Sequence, residues 1–290
     1  MAGPQHSAPG AAELEVASVQ DASAVVVSSA TSPLRLLVPR PRGDCVWGYL
    51  ANLGGGLVAG DETSLDLRVG RAARCFIGSQ SSTKVYRNPA RRPCGHRTRA
   101  VVGRDGFLAL VPAPVQPFAG SAYDQHQTFH LAAGAGLVLV DSFSSGRAAC
   151  GERWAFDHFA SRNEVFVADL PSAPGEPARR SSRRLFLDSV RLDPAGPPSR
   201  PSHAVGRMNC FAMLLLAGSL LQGPASDLLS MTARLPVRPR ASLLVSASPV
   251  GQGACVRFAG ERTDQVEAEL YHHLQFAAGL LGGLPWERRW

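Results

Sequence analysis

The residues best equipped for chemistry lie between positions 80 and 152. In YDQHQTFHL, residues 123–131, strand alternation places Asp124, His126, Thr128 and His130 on one face and Tyr123, Gln125, Gln127 and Phe129 on the other. Two imidazoles and a carboxylate on one face could meet a divalent metal. Same-face neighbours stand about 7 Å apart by strand rise, however, so a solvated polar face is the competing reading. Cys94 and His96 flank a single glycine, but two ligands do not close a metal site. Asp141 follows the apolar run 137–140, and Arg147 and Glu152 lie just beyond, around Gly146 and Gly151. Those three charges fit either a structural ion-pair knot or the polar lining of a passage or interface. A fourth group, Gln80, Ser81, Ser82, Thr83, Lys84 and Tyr86, crowds donors, acceptors and the only lysine of the chain into seven positions.

The elements that must position these groups read as β. Residues 54–89 open on three glycines and continue into a period-two segment, with Leu65, Leu67 and Val69 set against Asp66 and Arg68. This is no phosphate loop: the glycines run into Asp61 and Glu62 and then into a strand, where phosphate binding needs a Gly-Lys-Ser/Thr ending and a helix N-terminus. Close backbone packing beside a strand is the simpler use of these glycines. A weak repeat supports the β class. VGRAARCFI from Val69, VGRDGFLAL from Val102 and AAGAGLVLV from Ala132 each join a glycine-containing turn to a short apolar strand, at a spacing of about thirty residues. Stacked β units would produce this pattern.

Helices are expected only near the end. The apolar run 208–221, too short to cross a bilayer, is expected to be a buried helix broken by Gly223 and Pro224. A second helix is expected over 264–282, with Asp264 as N-cap and an apolar stripe of Val266, Leu270, Leu274, Ala277 and Leu281. Trp286 and Trp290 are expected to dock on the body. Residues 1–15 are expected to form a flexible tail without the features of a secretory signal.

Composition sets outer limits. With 290 residues, 45% hydrophobic, the chain can bury a substantial core. A net charge of +7 admits an acidic partner or nucleic acid without choosing between them. The Pro/Ser/Arg loop 171–184 lacks the aromatic interleaving of a nucleic-acid platform. The six cysteines contain no C-x-x-C pair, which favours idle thiols in a reducing compartment over a zinc ribbon or a disulfide scaffold. Catalytic motifs of the serine-elbow, zincin, Walker or dinucleotide type are missing, so the expectation is a binding protein and not an enzyme.

The run GGGLVAGD, LDLRVG and SSTKVYRNP resembles the signature of the urease accessory protein family UreD, called UreH in some systems. Further blocks resemble it in the same order: SPLRLLVPR before it, then PAPVQPFAGSAYDQ, DSFSSGRAACGERWAF and RLFLDSVRLDP. The resemblance implies one domain over 16–290, mainly β, a stacked β-helix-like arrangement of many short strands to about 205, with two helices at about 207–222 and 264–282. It implies a cytoplasmic scaffold that joins UreF and the GTPase UreG on apo-urease and helps deliver nickel to the carbamylated lysine site. No tightly bound cofactor is implied, only nickel in transit. By the same resemblance Asp61, Asp141 and Glu152 are candidates for a nickel route, and Gln80, Lys84, Tyr86 and Arg147 for motif contacts. A basic, arginine-rich adaptor for RNA or an acidic protein is the rival class.

Overall fold

The computed structural model describes residues 9–40, 43–90, 92–168, 182–194, 205–236 and 238–287. Two sheets face each other. The first runs in the order β14 (Ser182–Leu192), β13 (His158–Ala168), β11 (Ala122–Leu131), β8 (Cys94–Val102), β5 (Glu62–Val69), β1 (Ala11–Val19) and β2 (Ala22–Ala30). The second runs β16 (Leu243–Val250), β17 (Gly253–Gly260), β15 (Cys210–Ala217), β12 (Gly136–Ser144), β9 (Phe107–Val111), β6 (Arg74–Ser79), β4 (Val46–Asn52) and β3 (Leu34–Leu37). Two three-residue strands, β7 (Thr83–Val85) and β10 (Val115–Pro117), pair beside the end of β12.

The middle strands are parallel within each sheet, β5, β8, β11 and β13 in the first and β4, β6, β9 and β12 in the second. Parallel neighbours need a long crossover. Here the crossover of one sheet is a strand of the other: the chain passes from β5 to β6, then to β8, β9, β11, β12 and β13, winding as a solenoid. The sequence repeat is this winding, because its three glycine-containing turns join β5 to β6, β8 to β9 and β11 to β12. They stack through backbone bonds, Gly103 N–H to Val69 O at 2.7 Å and Ala132 N–H to Val102 O at 2.9 Å. A Cβ on Gly103 would lie 3.0 Å from the backbone of residues 70 and 71, so a side chain there would push the turns apart. Antiparallel pairs finish both sheets at their edges.

Three corrections to the sequence reading follow. The apolar run 208–221 is not a helix: it holds β15 and a short 3-10 turn, Ser219–Leu221. Its unbroken apolarity arises because β15 is covered on both faces, Met213 and Leu215 packing between the sheets and Leu214 and Leu216 on the outer side of the second sheet. Helix α1, Gln222–Ala233, begins where the run ends and takes Gly223 and Pro224 into its first turn, where a proline lacks no needed N–H. The expected C-terminal helix is α2, Thr263–His273, followed by a 3-10 turn, Gln275–Ala277, and a third helix, α3, Ala278–Leu281. Asp264 is no N-cap. It lies in the first turn of α2 and pairs with Arg262, the residue at the cap. The stripe itself holds, since Val266, Leu270, Leu274, Ala277 and Leu281 are all buried. Finally, the tail expected over 1–15 enters β1 at Ala11; residues 1–8 lie outside the described residues, as do 171–181 of the basic loop and Trp290.

One apolar cluster fills the space between the sheets, and a second fills the space between the second sheet and the helices. Trp286 docks there as expected, stacked on Tyr271 at 5.7 Å. Burying each such leucine or valine stabilises the fold by roughly 1.5–3 kcal/mol. Among the described residues, no helix is long and apolar enough to cross a membrane.

Candidate functional site

The inward residues of the first sheet change character along the strands. At one end they are aromatic or apolar: Cys94, Tyr123 and Phe159, packed with Phe143, Trp154 and Phe156. At the other end they are aliphatic or phenyl: Leu67, Ala100, Phe129 and Val165, then Val69, Val102 and Leu131. Between these ends lie two polar rows. Cross-strand register places Thr63, His96, Gln125 and Ser161 in the first row. It places Thr98, Gln127, Asn163 and Asp188 in the second. Each residue comes from an adjacent strand, so the rows run across the strands, along the axis of winding. The opposite sheet supplies Asp141, Met213 and Arg257, aligned on β12, β15 and β17.

Buried polar groups must be paired, and these are. Asp141 is 8% exposed, and its carboxylate accepts three neutral donors: Gln125 Nε2 at 3.1 Å, Ser161 Oγ at 2.6 Å and Asn163 Nδ2 at 2.7 Å. Burial pushes its pKa up; the Ser161 and Asn163 bonds oppose the rise, and nearby Asp188 adds to it. Gln127 Nε2 donates to Asn163 Oδ1 at 2.9 Å, and Tyr123 OH donates to Gln125 Oε1 at 3.0 Å. Asp188 accepts from Arg257 Nη2 at 2.7 Å.

Hydroxyls hold both nitrogens of His96: Thr63 Oγ1 lies 2.8 Å from Nδ1 and Thr98 Oγ1 3.1 Å from Nε2, and Thr63 Oγ1 also lies 3.1 Å from Gly95 O. Burial pushes the imidazole down to about 4, so it is neutral at physiological pH.

Among the described residues, two cavities meet this lane from between the sheets, and a third, of about 310 Å³, borders His96, Gln125 and Ser161 from the outer face beside Arg97, Asp124 and Arg162. Of the inner two, one of about 90 Å³, room for a few waters, is bordered by Thr63, His96, Thr98, Gln125 and Asp141 and reaches Gly55, Ser81 and Ser82 near the surface. The other, of about 190 Å³, is bordered by Asp141, Asp188 and Arg257 among apolar walls. Among the described residues, Asp141 is the one carboxylate that borders both of these inner cavities.

The structure separates the other sequence candidates from the lane. Asp61 caps its own turn, accepting from Val58 N–H at 2.9 Å, and borders none of these cavities. Glu152 binds Arg147, whose Nε donates to it at 2.9 Å, and also accepts from Ala119 N–H at 3.3 Å. Arg147 lies over the Phe118 ring at 4.4 Å, and Tyr86 meets the same ring edge-on at 5.4 Å. Tyr86 and Arg147 thus share a platform outside the lane. Lys84 contributes its carbonyl to Leu57 N–H, and the strand it sits on approaches Gly56 so closely that a Cβ there would lie 2.5 Å from Lys84 O. Gln80 is exposed, its N–H bonded to Leu50 O at 3.0 Å.

Neither metal reading from sequence assembles a site. The face of Asp124, His126, Thr128 and His130 points outward as the alternation predicts, but its members are engaged separately. His158 bridges Asp124 at 3.1 Å and Asp193 at 2.5 Å, His126 meets Glu164 at 3.1 Å, and His130 stacks on Phe166. Burial pushes the Cys94 thiol up to about 12, far from a ready thiolate. Among the described residues, no cluster of three or more His, Cys, Asp or Glu side chains could hold a metal ion. The lane itself presents oxygen atoms and one neutral imidazole.

Sequence reasoning singled out Asp141, named His96 only beside Cys94 and set Gln125 and Gln127 on one strand face, and did not join them into a lane. The signal is present: H-R-T at 96–98, Q-H-Q at 125–127 and S-R-N at 161–163 each set two polar inward residues around a basic outward one, at the spacing of the winding.

The family profile described as UreD urease accessory protein matches residues 8–290. A urease accessory protein UreD of Sorangium cellulosum is 42% identical over 97% of this chain and 84% of its own length. One from Anaeromyxobacter sp. is 36% identical over 96% of this chain and 89% of its own. A urease accessory protein D of Oryza sativa subsp. japonica is 31% identical over 97% of this chain and 96% of its own. The chain belongs to the UreD family of urease accessory proteins.

Proposed function

We propose that this protein is a cytoplasmic, non-catalytic scaffold that assembles with UreF and the GTPase UreG on apo-urease and conveys nickel toward the urease active site through its interior. The observation that carries this reading is the placement of Asp141, a buried carboxylate bordering both inner cavities within a polar lane. Nickel is cargo here and not a resident cofactor. A hydrated ion entering from the side of Gly55 and Ser81 would exchange waters for amide, hydroxyl and carboxylate oxygens. Carboxylate binds an ion of this class without the grip of a thiolate site, which suits release. Because burial raises the pKa of Asp141, an arriving cation competes with a proton there, and binding is stronger at higher pH.

In this reading the route belongs to Asp141 with its lane. Asp61 is a turn cap, and Glu152 clamps the loop that presents Arg147. The Tyr86–Phe118–Arg147 platform, with Lys84 and Gln80 nearby in sequence, is the proposed partner contact. The test is co-expression of the chain with UreF, UreG and apo-urease, followed by affinity capture and a nickel-dependent urease assay with and without it. Capture in one complex together with dependence of activity on the chain is expected. A chain that enters no complex and leaves activity unchanged would refute the reading.

A further inference from the structure

Strand β16 lies at an edge of the second sheet, and among the described residues no strand pairs with its outer side. The backbone groups it leaves free can be assigned. A two-residue turn, 251–252, pairs Val250 with Gly253, so the hydrogen-bonded pairs with β17 fall at Val250, Ser248, Ser246 and Leu244. The alternate residues, Leu243, Val245 and Ala247, turn their N–H and C=O groups toward the open edge. Open edges are commonly blunted by charge, as on β14, which carries Arg183, Arg184, Asp188 and Arg191. β16 carries no charge, only Pro249 near its end. Its edge opens instead into a groove of about 720 Å³, whose facing wall is the second half of α1 and the residues after it: Leu229, Thr232, Ala233 and Leu235. Leu243, Val245 and Ala247 set their side chains on the same apolar side as α1. Leu244 and Leu235 remain 49% and 40% exposed, and the buried hydroxyl of Thr232 has no hydrogen-bond partner. Charge is confined to the rim. Arg238 borders the groove, with Arg234 and Arg240 exposed beside it in sequence, and among the described residues none of the three makes an ion pair. Glu269 is the one acidic residue on its border among the described residues.

We propose that this groove is a docking site for an extended segment of a partner protein, which pairs with the open edge of β16 as a further strand. Three features define that segment. Free N–H and C=O groups at alternate residues of β16 call for an extended backbone, because a helix has already used its own. The apolar wall of α1 takes side chains from one face of the added strand, so apolar residues are required at every second position. The unpaired arginines at the rim select acidic residues at that end of the segment. The groove shares no residue with the Tyr86–Phe118–Arg147 platform and does not depend on the nickel route.

The test is fluorescence anisotropy of labelled peptides with the full chain. The probe is Glu-Glu-Val-Ser-Val-Ser-Val-Ser; one control replaces its two glutamates by lysines, and another groups its three valines together. The probe is expected to bind at least about tenfold more tightly than either control. N-methylation of its backbone at alternate residues is expected to weaken binding at least about tenfold in one phase and to leave it unchanged in the other, since only one set of amides faces β16. Arg238→Glu and Val245→Pro are each expected to weaken the probe about tenfold. No binding of the probe, equal binding of the three peptides, or equal effects of the two methylation phases would overturn the proposal, and these outcomes need no variant that folds. Sedimentation of the chain alone adds one more: a dimer that Val245→Pro abolishes would give the groove to a second copy and overturn it as well.

Discussion

Phe129 and Gln127 are successive inward residues of one strand, 0% and 3% exposed, and they belong to two different interiors. From Phe129 onward the space between the sheets is filled as an ordinary core, by Leu67, Ala100 and Val165 from neighbouring strands. At Gln127 it is filled by amides, hydroxyls and a carboxylate that satisfy one another. Backbone, register and winding are the same at both positions, so only side-chain chemistry distinguishes them. An apolar row in place of the polar one would be at least as stable, because buried charge must overcome its desolvation. The core end therefore holds the solenoid together, and the lane is an interruption that the core end makes affordable.

The comparison breaks most readily at the core end. Phe129→Ala is expected to cost about 3–5 kcal/mol of stability, read from the midpoint of chemical denaturation, while urease activation per folded molecule stays at the wild-type level. A large activity loss among folded molecules would mean that the two regions are not separable.

The next effect in size comes from acid. His96 has its pKa depressed from 6.5 to about 4, so its contribution is complete above pH 6.5 and is lost as pH falls toward 4. This is worth about 3 kcal/mol across that window, and His96→Gln should remove that slope from a stability–pH curve. Asp141, with its raised pKa, acts in the opposite sense: its protonated form is favoured by folding, so its contribution is lost as pH rises. The His96→Gln curve should therefore fall less steeply than wild type between pH 6.5 and 4, keeping the acid losses of His130 and His273. A His96→Gln curve parallel to wild type across that window would place the imidazole in water.

A smaller cost is expected within the lane. Asn163→Leu strips one donor from Asp141 and orphans Gln127, for about 1–3 kcal/mol by denaturation. The smallest stability change is expected from Arg147→Ala, whose pair with Glu152 is solvent-screened. Its effect should appear instead as weaker co-purification with partners, and undiminished co-purification would remove the platform from the contact surface.

Much of the solenoid was legible in the sequence, because stacked turns recur at a fixed spacing: Gly70, Gly103 and Ala132 occupy equivalent positions along the winding. The stripe from Val266 to Leu281 was legible for a similar reason, since one buried face imposes its period even across the break after His273. Run 208–221 was misread because a strand covered on both faces has no alternation to show. Asp141 announced itself as a carboxylate ending an apolar strand. Its partners did not, because Gln125, Ser161 and Asn163 are distant in sequence and converge on it only through register. Of the three charges read together, Arg147 and Glu152 pair with each other, whereas Asp141 is bonded to Gln125, Ser161 and Asn163.

In the proposed function the lane, and Asp141 within it, serves nickel passage and not the fold. The most direct test is nickel-dependent urease activation by Asp141→Asn, beside an Asp61→Ala/Glu152→Ala control, each co-expressed with UreF, UreG and apo-urease and normalised to captured complex. The account predicts that Asp141→Asn forms the complex and activates at least about tenfold less urease, while the control activates like wild type. Full activation by Asp141→Asn, or a loss confined to the control, would contradict it.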